Sequence, residues 1–502
     1  MLLTTGCSSP VSPVTEPEPV PSDSNVSEPS TSVDEYTFTA VEYRKIQSGV
    51  FQSWSTEESS ETLIIDNMNL YSQKSDYSLT DWGGRLGLQP SAIVGKEGFF
   101  RVANCNGRYY LIDPDNGAVI LHGIQHVRPG SSTIQTNAIS SKYGTAAKWS
   151  EETGNLLDEN SFNYISYGSN RIEAFPASIR TNLLTPKEHK IAYAETLYVL
   201  RTFMWDMTTN LGYAFDDDKY NRLILLFEPT FAAYAESLIS KATALFAGDK
   251  HFIGYYLDNE LPFASYQNKY PLLGIDINHF LSLPDRYKVA RSYAENFLQK
   301  KGKTAAEITD DDQEEFRKAV AEYYYQLVSQ LVRRYDSDHL ILGSRLHDWS
   351  KYNKVVVEAC ARYCDIVSIN YYSRWQPETD FMSNLKNWCG TTPFLISEFY
   401  TKGDDAYYNG VKYSNTGGGG WLVHTQKDRG RFYQNFCLHL LQEKNCIGWV
   451  HFEYNDDYTS SEVISNKGIV SLEYEPYKSF LSFVRQLNLN VNSLIDYFDS
   501  KQ

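Results

Sequence analysis

After about residue 116, short apolar runs alternate with amphipathic stretches along the chain. Apolar runs of about four to eight residues predict buried strands, and apolar positions that recur every three or four residues predict helices. We predict eight strands, at Ala118–Ile124, Phe162–Tyr167, Leu197–Phe203, Phe252–Asp258, Leu340–Arg345, Ile366–Asn370, Phe394–Ser397 and Ile447–Phe452. Amphipathic helices are predicted between them, for example at Arg286–Lys300, Asp312–Arg334 and Arg429–Glu443.

Strands that alternate with helices indicate parallel βα units, and eight such units predict an α/β fold of the (β/α)8 TIM-barrel type. We place this barrel at residues 116–490 and a C-terminal tail at 491–502. The long stretch between the fourth and fifth strands has room for an additional helix. A doubly wound open sheet is the alternative, but no GxGxxG sequence follows any predicted strand.

Residues 35–115 have a different pattern, with short alternating runs separated by turn residues. Strands are predicted at Thr62–Ile65, Phe99–Val102 and Arg108–Ile112, and the Asn106-Gly107 dipeptide is a strong hairpin signal. The region is a small β-sandwich or a β-rich cap on the barrel. Its short length favours the cap.

The first residues resemble the end of a bacterial lipoprotein signal, with Gly6 before a cysteine, Cys7, that would carry the lipid. Residues 1–7 are therefore predicted to be a signal remnant. Residues 8–34 are rich in Ser, Pro and Glu, which predicts a disordered tether. No later apolar run is long enough to span a bilayer. We expect a protein of the bacterial cell surface or periplasm, held at the outer membrane only through a lipid.

Charge and cysteine content exclude several classes of function. The chain has 46 basic and 62 acidic residues, a formal net charge of −16, which argues against nucleic acid and weakly disfavours highly sulfated polymers. The seven cysteines form no CxxC pair and no histidine cluster has zinc-ligand spacing, so we predict no metal, no cofactor and no disulfide framework. Many aromatic residues (14%) are compatible with a large core or with sugar-stacking surfaces.

Two of the predicted strands end in a glutamate. The run from Gly254 reaches Glu260 at the fourth strand, and the run from Pro393 reaches Glu398 at the seventh. A buried strand should not end in a carboxylate without a partner or a task, because desolvating a charge is costly. In a barrel both would lie at the carboxyl-terminal end, where active sites are found. Paired carboxylates are the chemistry of glycoside hydrolysis.

The strand–Asn–Glu pattern at strand four, with a lone glutamate at strand seven, resembles clan A of the retaining glycoside hydrolases. The resemblance implies that Glu260 is the acid/base and Glu398 the nucleophile, and that Asn259 binds the sugar 2-hydroxyl. It also implies a tyrosine after the sixth strand that hydrogen-bonds the nucleophile. Tyr372 is the candidate, and Tyr371 is the alternative.

A narrower resemblance covers most of residues 105–460 and is to β-agarase-like enzymes of glycoside hydrolase family 50 and neighbouring families. It is carried by GRYYLIDPDNGAVILHGI, FEPTF, GYYLDNELPF, PFLISEFY and GWLVHTQKDRGRFYQNF. The segment FNYISYGSN departs from the tryptophan-containing stretch expected after strand two. The resemblance implies a β-linked galactan such as agarose as the substrate.

Further sugar-binding candidates come from residue type and position alone. Trp449 on strand eight is predicted to stack beneath the sugar or to fill the barrel. Three histidines near strand ends or in long loops, and a tryptophan after the glycine run Gly417–Gly420, are further candidates for sugar contact. They are His126, His347, His424 and Trp421.

The sequence thus predicts a retaining glycosidase acting on β-linked galactan polysaccharide or oligosaccharide. Two alternatives stay open: a β-galactosidase or β-mannanase on the same barrel, and a non-catalytic surface lipoprotein that binds glycans. The pair of strand-terminal glutamates favours an enzyme, because simple binding needs no such pair.

Overall fold

A parallel eight-stranded sheet forms the centre of the molecule. The computed structural model describes residues 35–47, 50–51, 59–167, 177–210, 213–269, 272–460 and 463–501, and the predicted lipid site Cys7 and tether lie outside these ranges. The sheet strands are β1 (Leu121–Gln125), β2 (Tyr164–Tyr167), β3 (Ala192–Thr196), β4 (Phe252–Tyr256), β5 (Leu340–Ile341), β6 (Val367–Asn370), β7 (Phe394–Phe399) and β8 (Cys446–His451).

These strands follow one another in chain order around the sheet, and β8 pairs with β1. The remaining neighbours, β5 and β6, meet through a parallel bridge between Leu346 and Ile369. The (β/α)8 TIM-barrel fold predicted from the sequence is therefore confirmed. Parallel strands in such a fold direct all their carboxyl ends to one face, where the connecting loops can build a site.

Helices cover the outside of the barrel. They span Thr133–Lys142, Ala146–Glu159, Ala177–Leu184, Val199–Asn210, Phe231–Thr243, Ile277–Leu281, Lys288–Lys301, Asp310–Tyr335, Asp348–Lys351, Lys354–Tyr363, Thr379–Cys389, Gln426–Gln442 and Lys478–Asp499. Asp310–Tyr335 lies in the long connection between β4 and β5, where an additional helix was predicted. Among the described residues, no helix is both long and apolar enough to cross a membrane.

Shorter strands lie outside the barrel. They span Thr39–Arg44, Ile46–Gln47, Val50–Phe51, Ser59–Thr62, Ser91–Val94, Arg101–Cys105, Arg108–Ile112, Ala118–Val119, Lys402–Gly403, Tyr407–Tyr408, Val411–Lys412, Leu422–Val423, Asp457–Ser460 and Val463–Ser465. The four strands between residues 91 and 119 form an antiparallel sheet with its hairpin at Asn106-Gly107. Phe100, Val102 and Leu111 of this sheet join the apolar cluster inside the barrel, so the sheet closes the barrel's amino-terminal end.

The strand Thr39–Arg44 reaches the opposite end of the molecule. It pairs with Ser59–Thr62 and, on its other edge, with Leu422–Val423 from the long connection after β7. The N-terminal β-rich region thus contributes to the barrel face on which the carboxyl ends of the strands lie.

The predicted third strand is wrong. Leu197–Phe203 lies mostly in the helix Val199–Asn210, and the strand is the preceding segment Ala192–Thr196. The helix begins where Asp258 accepts hydrogen bonds from the backbone amides of Leu200 (2.9 Å) and Arg201 (3.4 Å). A carboxylate at a helix N-terminus satisfies amides that have no partner within the helix, so the apolar run becomes helical.

Thr62–Ile65 was also predicted as a strand, and only Thr62 belongs to one. The amide of Leu63 donates to the side chain of Asn435 (2.7 Å), and that of Ile65 donates to Gln434 (3.0 Å). These backbone donors are therefore bonded to side chains of the helix Gln426–Gln442 instead of to another strand. The run is apolar because it is buried against that helix.

Candidate active site

Glu398 lies near the carboxyl end of β7 and is buried, with 6% of the residue exposed. The pairing of β7 is irregular on both sides of it, between Ile369 and Asn370 on β6 and between Ile396 and Phe399 toward β8. Such irregularities redirect side chains and occur next to active sites. The hydroxyl of Tyr372 donates to Oε2 of Glu398.

Glu260 lies four residues beyond the end of β4 and is more open, with 31% of its side chain exposed. The side-chain amide of Asn370, at the end of β6, donates to Oε1 of Glu260 over 2.8 Å. Nδ1 of His347 lies 3.7 Å from the same oxygen. Because Asn370 also pairs with Glu398 in the sheet register, this asparagine lies between the two glutamates.

Arg345 connects the two carboxylate-bearing segments. Its Nη2 forms an ion pair with Oε1 of Glu398, and its Nε donates to Oδ1 of Asn259 over 2.7 Å. The guanidinium carbon also lies 4.9 Å from the ring centre of Tyr256. Arg345 is 1% exposed, so its charge is compensated by Glu398 within the protein.

A third carboxylate, Glu453, follows β8. Its Oε2 lies 2.7 Å from Nδ1 of His126, which follows β1. Phe452 precedes Glu453 and is half-buried, with its ring 5.0 Å from that of His126 and 6.4 Å from that of Tyr372. An acid, an imidazole and an aromatic face therefore adjoin the pair of glutamates.

Electrostatics distinguish Glu398 from an ordinary glutamate. Burial raises the pKa of Glu398 well above its usual range, and the carboxylates of Glu260 and Glu453 raise it further. The charge of Lys467 opposes this rise, and direct contact with Arg345 also favours the ionised form. Groups with strongly perturbed pKa values and specific charged neighbours are typical of active sites.

Backbone strain marks the same face of the barrel. Five residues other than glycine, each shortly after a different barrel strand, have left-handed φ angles from 52° to 58°: His126, Tyr198, Glu260, Arg345 and Ser373. Such conformations cost about 1–3 kcal/mol each and persist where the surrounding structure enforces them, often at functional sites. The strain and the carboxylates therefore indicate the same location.

Six of the predicted site residues lie together beside the two glutamates or are the glutamates themselves. Asn259, Glu260, Glu398, Tyr372, His126 and His347 all lie at this end of the barrel, in the contacts given above. Tyr371, the alternative to Tyr372, is 1% exposed and donates to Glu378 over 2.9 Å. Of the two tyrosines, Tyr372 is therefore the one whose hydroxyl donates to the carboxylate of Glu398, whereas Tyr371 contacts Glu398 through its backbone amide.

Trp449 does not face the site. It is 0% exposed and its indole N–H donates to the hydroxyl of Tyr433 (2.9 Å) on the helix Gln426–Gln442. Side chains alternate along a strand, so Trp449 points into the layer between barrel and helices while Val450 points into the barrel. The predicted sugar contact by Trp449 is wrong, and the aromatic residue of this segment beside the glutamates is Phe452.

Trp421 and His424 contact the N-terminal region. The ring of Trp421 stacks on Tyr43 at 4.5 Å and lies 5.6 Å from the ring of Trp375. Nε2 of His424 lies 2.9 Å from Oε2 of Glu42, and both side chains are more than 40% exposed. The side chains of these two residues thus contact the strand Thr39–Arg44.

Arg345 and Glu453 were not predicted from the sequence, although each follows the rule that identified Glu260 and Glu398. Each is a charged residue at the end of an apolar run, LILGSR and GWVHFE respectively. A charged residue of either sign at the end of an apolar run is therefore the sequence signal that identifies Arg345 and Glu453.

The chain thus forms a TIM barrel, with Glu260 and Glu398 at the carboxyl-terminal end of its strands, which is a fold found among the glycosidases. No protein-family model matches the chain. It is similar to β-agarase B of Vibrio sp. (strain JT0107), with 21% identity in a match that covers 79% of this chain and 48% of that protein. The chain therefore spans about half the length of this relative.

The fold of this chain is also similar to those of several solved structures. The crystal structure of BpGH50 matches with a TM-score of 0.78 and 29% identity, over 94% of this chain and 98% of that one. An exo-β-agarase matches with a TM-score of 0.65 and 18% identity, over 84% and 69% of the two chains. The resemblance to glycoside hydrolase family 50 that the sequence predicts is thus confirmed.

Proposed function

We propose that this protein is a retaining glycoside hydrolase that cleaves a β-linked galactan of the agarose type. Glu398 attacks the anomeric carbon as the glycosidic C–O bond breaks, and Glu260 donates its proton to the leaving oxygen. Water then attacks the same carbon, Glu260 takes its proton, and the bond to Glu398 breaks. Asn259 binds the sugar 2-hydroxyl, and Tyr372 orients the nucleophile.

The observation that carries this proposal is the environment of the two glutamates. Glu260 is partly exposed and bonded to a neutral amide, which suits a group that exchanges protons with substrate and water. Glu398 is buried and bonded to Arg345 and Tyr372, which suits a carboxylate that must be ionised and held in one position. Two carboxylates in different environments are the pattern of acid and nucleophile.

The substrate class rests on the relatives and on the groups beside the glutamates. β-Agarase B and the exo-β-agarase are named for their action on agar. In the present chain, Phe452 offers an apolar ring face, and His126 and Glu453 offer a donor and an acceptor for hydroxyl groups. We expect these three residues to bind the sugar next to the cleaved bond, with His347 near the leaving group.

The test is digestion of agarose, porphyran, unsulfated galactan and mannan by the whole protein, followed by sizing of the products. Release of agarose oligosaccharides with retained anomeric configuration at early times is the expected result. Inverted products would disprove the double-displacement mechanism, and activity on mannan alone would disprove the galactan assignment.

Glu398→Gln is expected to abolish turnover without unfolding the protein. Glu195→Gln is the matched control, because Glu195 is a buried glutamate at the end of β3 whose pKa burial raises well above its usual range. That control should retain activity. A near-normal rate in Glu398→Gln would overturn the assignment of the nucleophile.

We also propose that Cys7 carries a lipid that holds the protein at the bacterial outer membrane. The sequence around Cys7 and the polar stretch that follows it support this placement. Labelling of cells with a radioactive or alkyne fatty acid should mark the wild-type protein and not Cys7→Ser. Equal labelling of both proteins, or of neither, would contradict the proposal.

A further inference from the structure

Arg345 is a buried cation at the centre of the site, and its contacts reach both halves of the catalytic pair. One guanidinium nitrogen contacts Glu398, and Nε donates to Asn259, the residue before Glu260. Arg345 itself follows β5, so it joins the segment that follows β4 to the carboxyl end of β7. Its backbone is left-handed, and its amide donates to Oγ of Ser368 over 2.8 Å.

Burying an arginine is costly unless its charge is paired and its donors are used. A planar guanidinium presents several donors in a fixed fork, so one side chain can bind two acceptors in a set geometry. A lysine ammonium has no such fork. The contact with the Tyr256 ring adds a cation–π interaction that favours the same side-chain position.

We propose that Arg345 is a positioning residue of this site, which keeps Glu398 ionised and fixes its position relative to Asn259 and the acid/base segment. The inference rests on the proposed function, because it assigns Arg345 a task in glycosyl transfer to Glu398. Without it, Glu398 would be a buried carboxylate beside two other acids, and its neutral form would be favoured.

Several charged or titratable groups face Glu398 from the surrounding elements. They are Glu260, Glu453, Lys467, Arg345, Tyr372, Tyr400, Tyr256 and Tyr198. Lys467 is the other cation of this set, and its Nζ is bonded to Asp457 over 2.8 Å. Arg345 is the cation that makes direct contact with Glu398, so its removal should have the larger effect.

The test compares wild type, Arg345→Lys and Arg345→Met across a pH series on an agarose oligosaccharide. For Arg345→Met we expect kcat to fall by about 100-fold or more, the loss typical when a preorganised electrostatic contact is removed. KM should change much less. The acidic limb of kcat/KM should move to higher pH by about one unit or more, because an adjacent cation lowers a carboxyl pKa by that order.

Arg108→Met is the matched control. Arg108 is also 1% exposed and ion-paired, with Asp499, but it lies in the sheet that closes the other end of the barrel. Its replacement should lower the melting temperature and leave the pH profile unmoved. An unchanged acidic limb in both Arg345 variants, or an equal shift in Arg108→Met, would overturn the positioning role.

Arg345→Ala gives an independent readout through chemical rescue. Added guanidinium at tens of millimolar should restore part of kcat, whereas urea, which has a similar shape and no charge, should not. If neither Arg345→Met nor Arg345→Ala folds, Arg345→Lys decides the matter: lowered kcat with little change in KM supports the role, and wild-type kinetics refute it. A wild-type protein inactive on every glycan would instead refute the proposed function itself.

Discussion

The side-chain amide of Asn370 donates to Oε1 of Glu260 over 2.8 Å. Its own oxygen accepts a hydrogen bond from Ser397, the neighbour of Glu398, over 2.8 Å. That second bond fixes which end of the amide faces Glu260. One asparagine on β6 thereby connects the acid/base candidate, which follows β4, to the strand β7 that carries the nucleophile candidate.

Replacing Asn370 should impair proton donation more than nucleophilic attack. Asn370→Ala removes the donor that orients Glu260, and we expect a loss of about 10–100-fold in kcat on oligosaccharides, the usual contribution of one positioned hydrogen bond in catalysis. A galactoside with a dinitrophenyl leaving group needs little protonation and should be affected much less. Equal losses on the two substrates would show that Asn370 does not act through Glu260.

The raised pKa of Glu398 predicts a pH dependence with a defined sign. The proposed role of Glu398 as nucleophile requires its ionised form, so kcat/KM should fall as the pH drops through this raised pKa, above the value near 4.3 of a free glutamate. Stability should show the opposite trend. Between the unfolded and folded pKa values the folded state binds the additional proton, so the free energy of unfolding decreases as the pH rises.

Glu398→Gln removes the titrating group, and chemical denaturation at several pH values should show a smaller dependence of unfolding free energy on pH than in wild type. Glu195→Gln removes a second buried glutamate with a raised pKa. Comparing the two variants shows how much of the pH dependence of the unfolding free energy comes from Glu398 and how much from Glu195. An unchanged pH dependence in Glu398→Gln would contradict the raised pKa.

The sequence predicted those parts of the fold and site that depend on local pattern. Strands β4 and β7 and their glutamates were found because the apolar runs before them are long and end in a charge. Strand β3 was missed because its sequence, AYAET, contains alanine and glutamate, which have low strand propensity. It is a strand because neighbouring strands pair with it on both sides.

Contacts between distant segments could not be predicted in this way. The pairing of Glu453 with His126 depends on the barrel closing between β8 and β1. The stacking of Tyr43 on Trp421 depends on an N-terminal strand joining the connection after β7. Trp449 was misassigned because a one-residue change of register turns a side chain to the other face of a strand.

Trp449 and Phe452 should respond to mutation in opposite ways. Trp449→Phe removes the bond to Tyr433 and leaves a cavity in a packed layer, so we expect a stability loss of about 2 kcal/mol with kinetics unchanged. Phe452→Ala should raise KM several-fold with a smaller change in melting temperature. Thermal denaturation together with Michaelis–Menten kinetics distinguishes the two, and a raised KM in Trp449→Phe would restore it as a sugar-binding candidate.

His126 and His424 form similar histidine–glutamate pairs in different surroundings. The His424–Glu42 pair is exposed, so His424→Ala should change stability by no more than about 0.5 kcal/mol and leave activity unaltered. Burial lowers the pKa of His126, and Glu453 opposes that change. His126→Ala leaves Glu453 without this partner beside Glu398, so we expect a clear loss of kcat/KM. Equal activity in the two variants would exclude His126 from the site.

Lys402 and Tyr400 hold the glycine run Gly417–Gly420 in place. Nζ of this buried lysine donates to the carbonyl oxygens of Asn415 (2.7 Å), Gly417 (3.2 Å) and Gly418 (3.3 Å). Tyr400 donates to the carbonyl of Gly419 over 2.6 Å. The ring of Tyr400 lies 5.2 Å from that of Tyr372, which is bonded to Glu398. The loop therefore contacts the nucleophile candidate through two tyrosines.

Lys402→Met should release this loop while preserving the buried volume of the side chain. The buried carbonyl of Asn415 loses its donor, and a buried acceptor left unsatisfied costs about 1–3 kcal/mol. We expect faster proteolysis between residues 413 and 421 and a reduced kcat/KM. Lys412→Met is the control, since Lys412 belongs to the same connection but is exposed and paired with Asp404. Lys402 bonds to the carbonyl groups of the loop, whereas Lys412 pairs with Asp404. Similar cleavage rates in the two variants would therefore mean that Lys402 does not hold the loop.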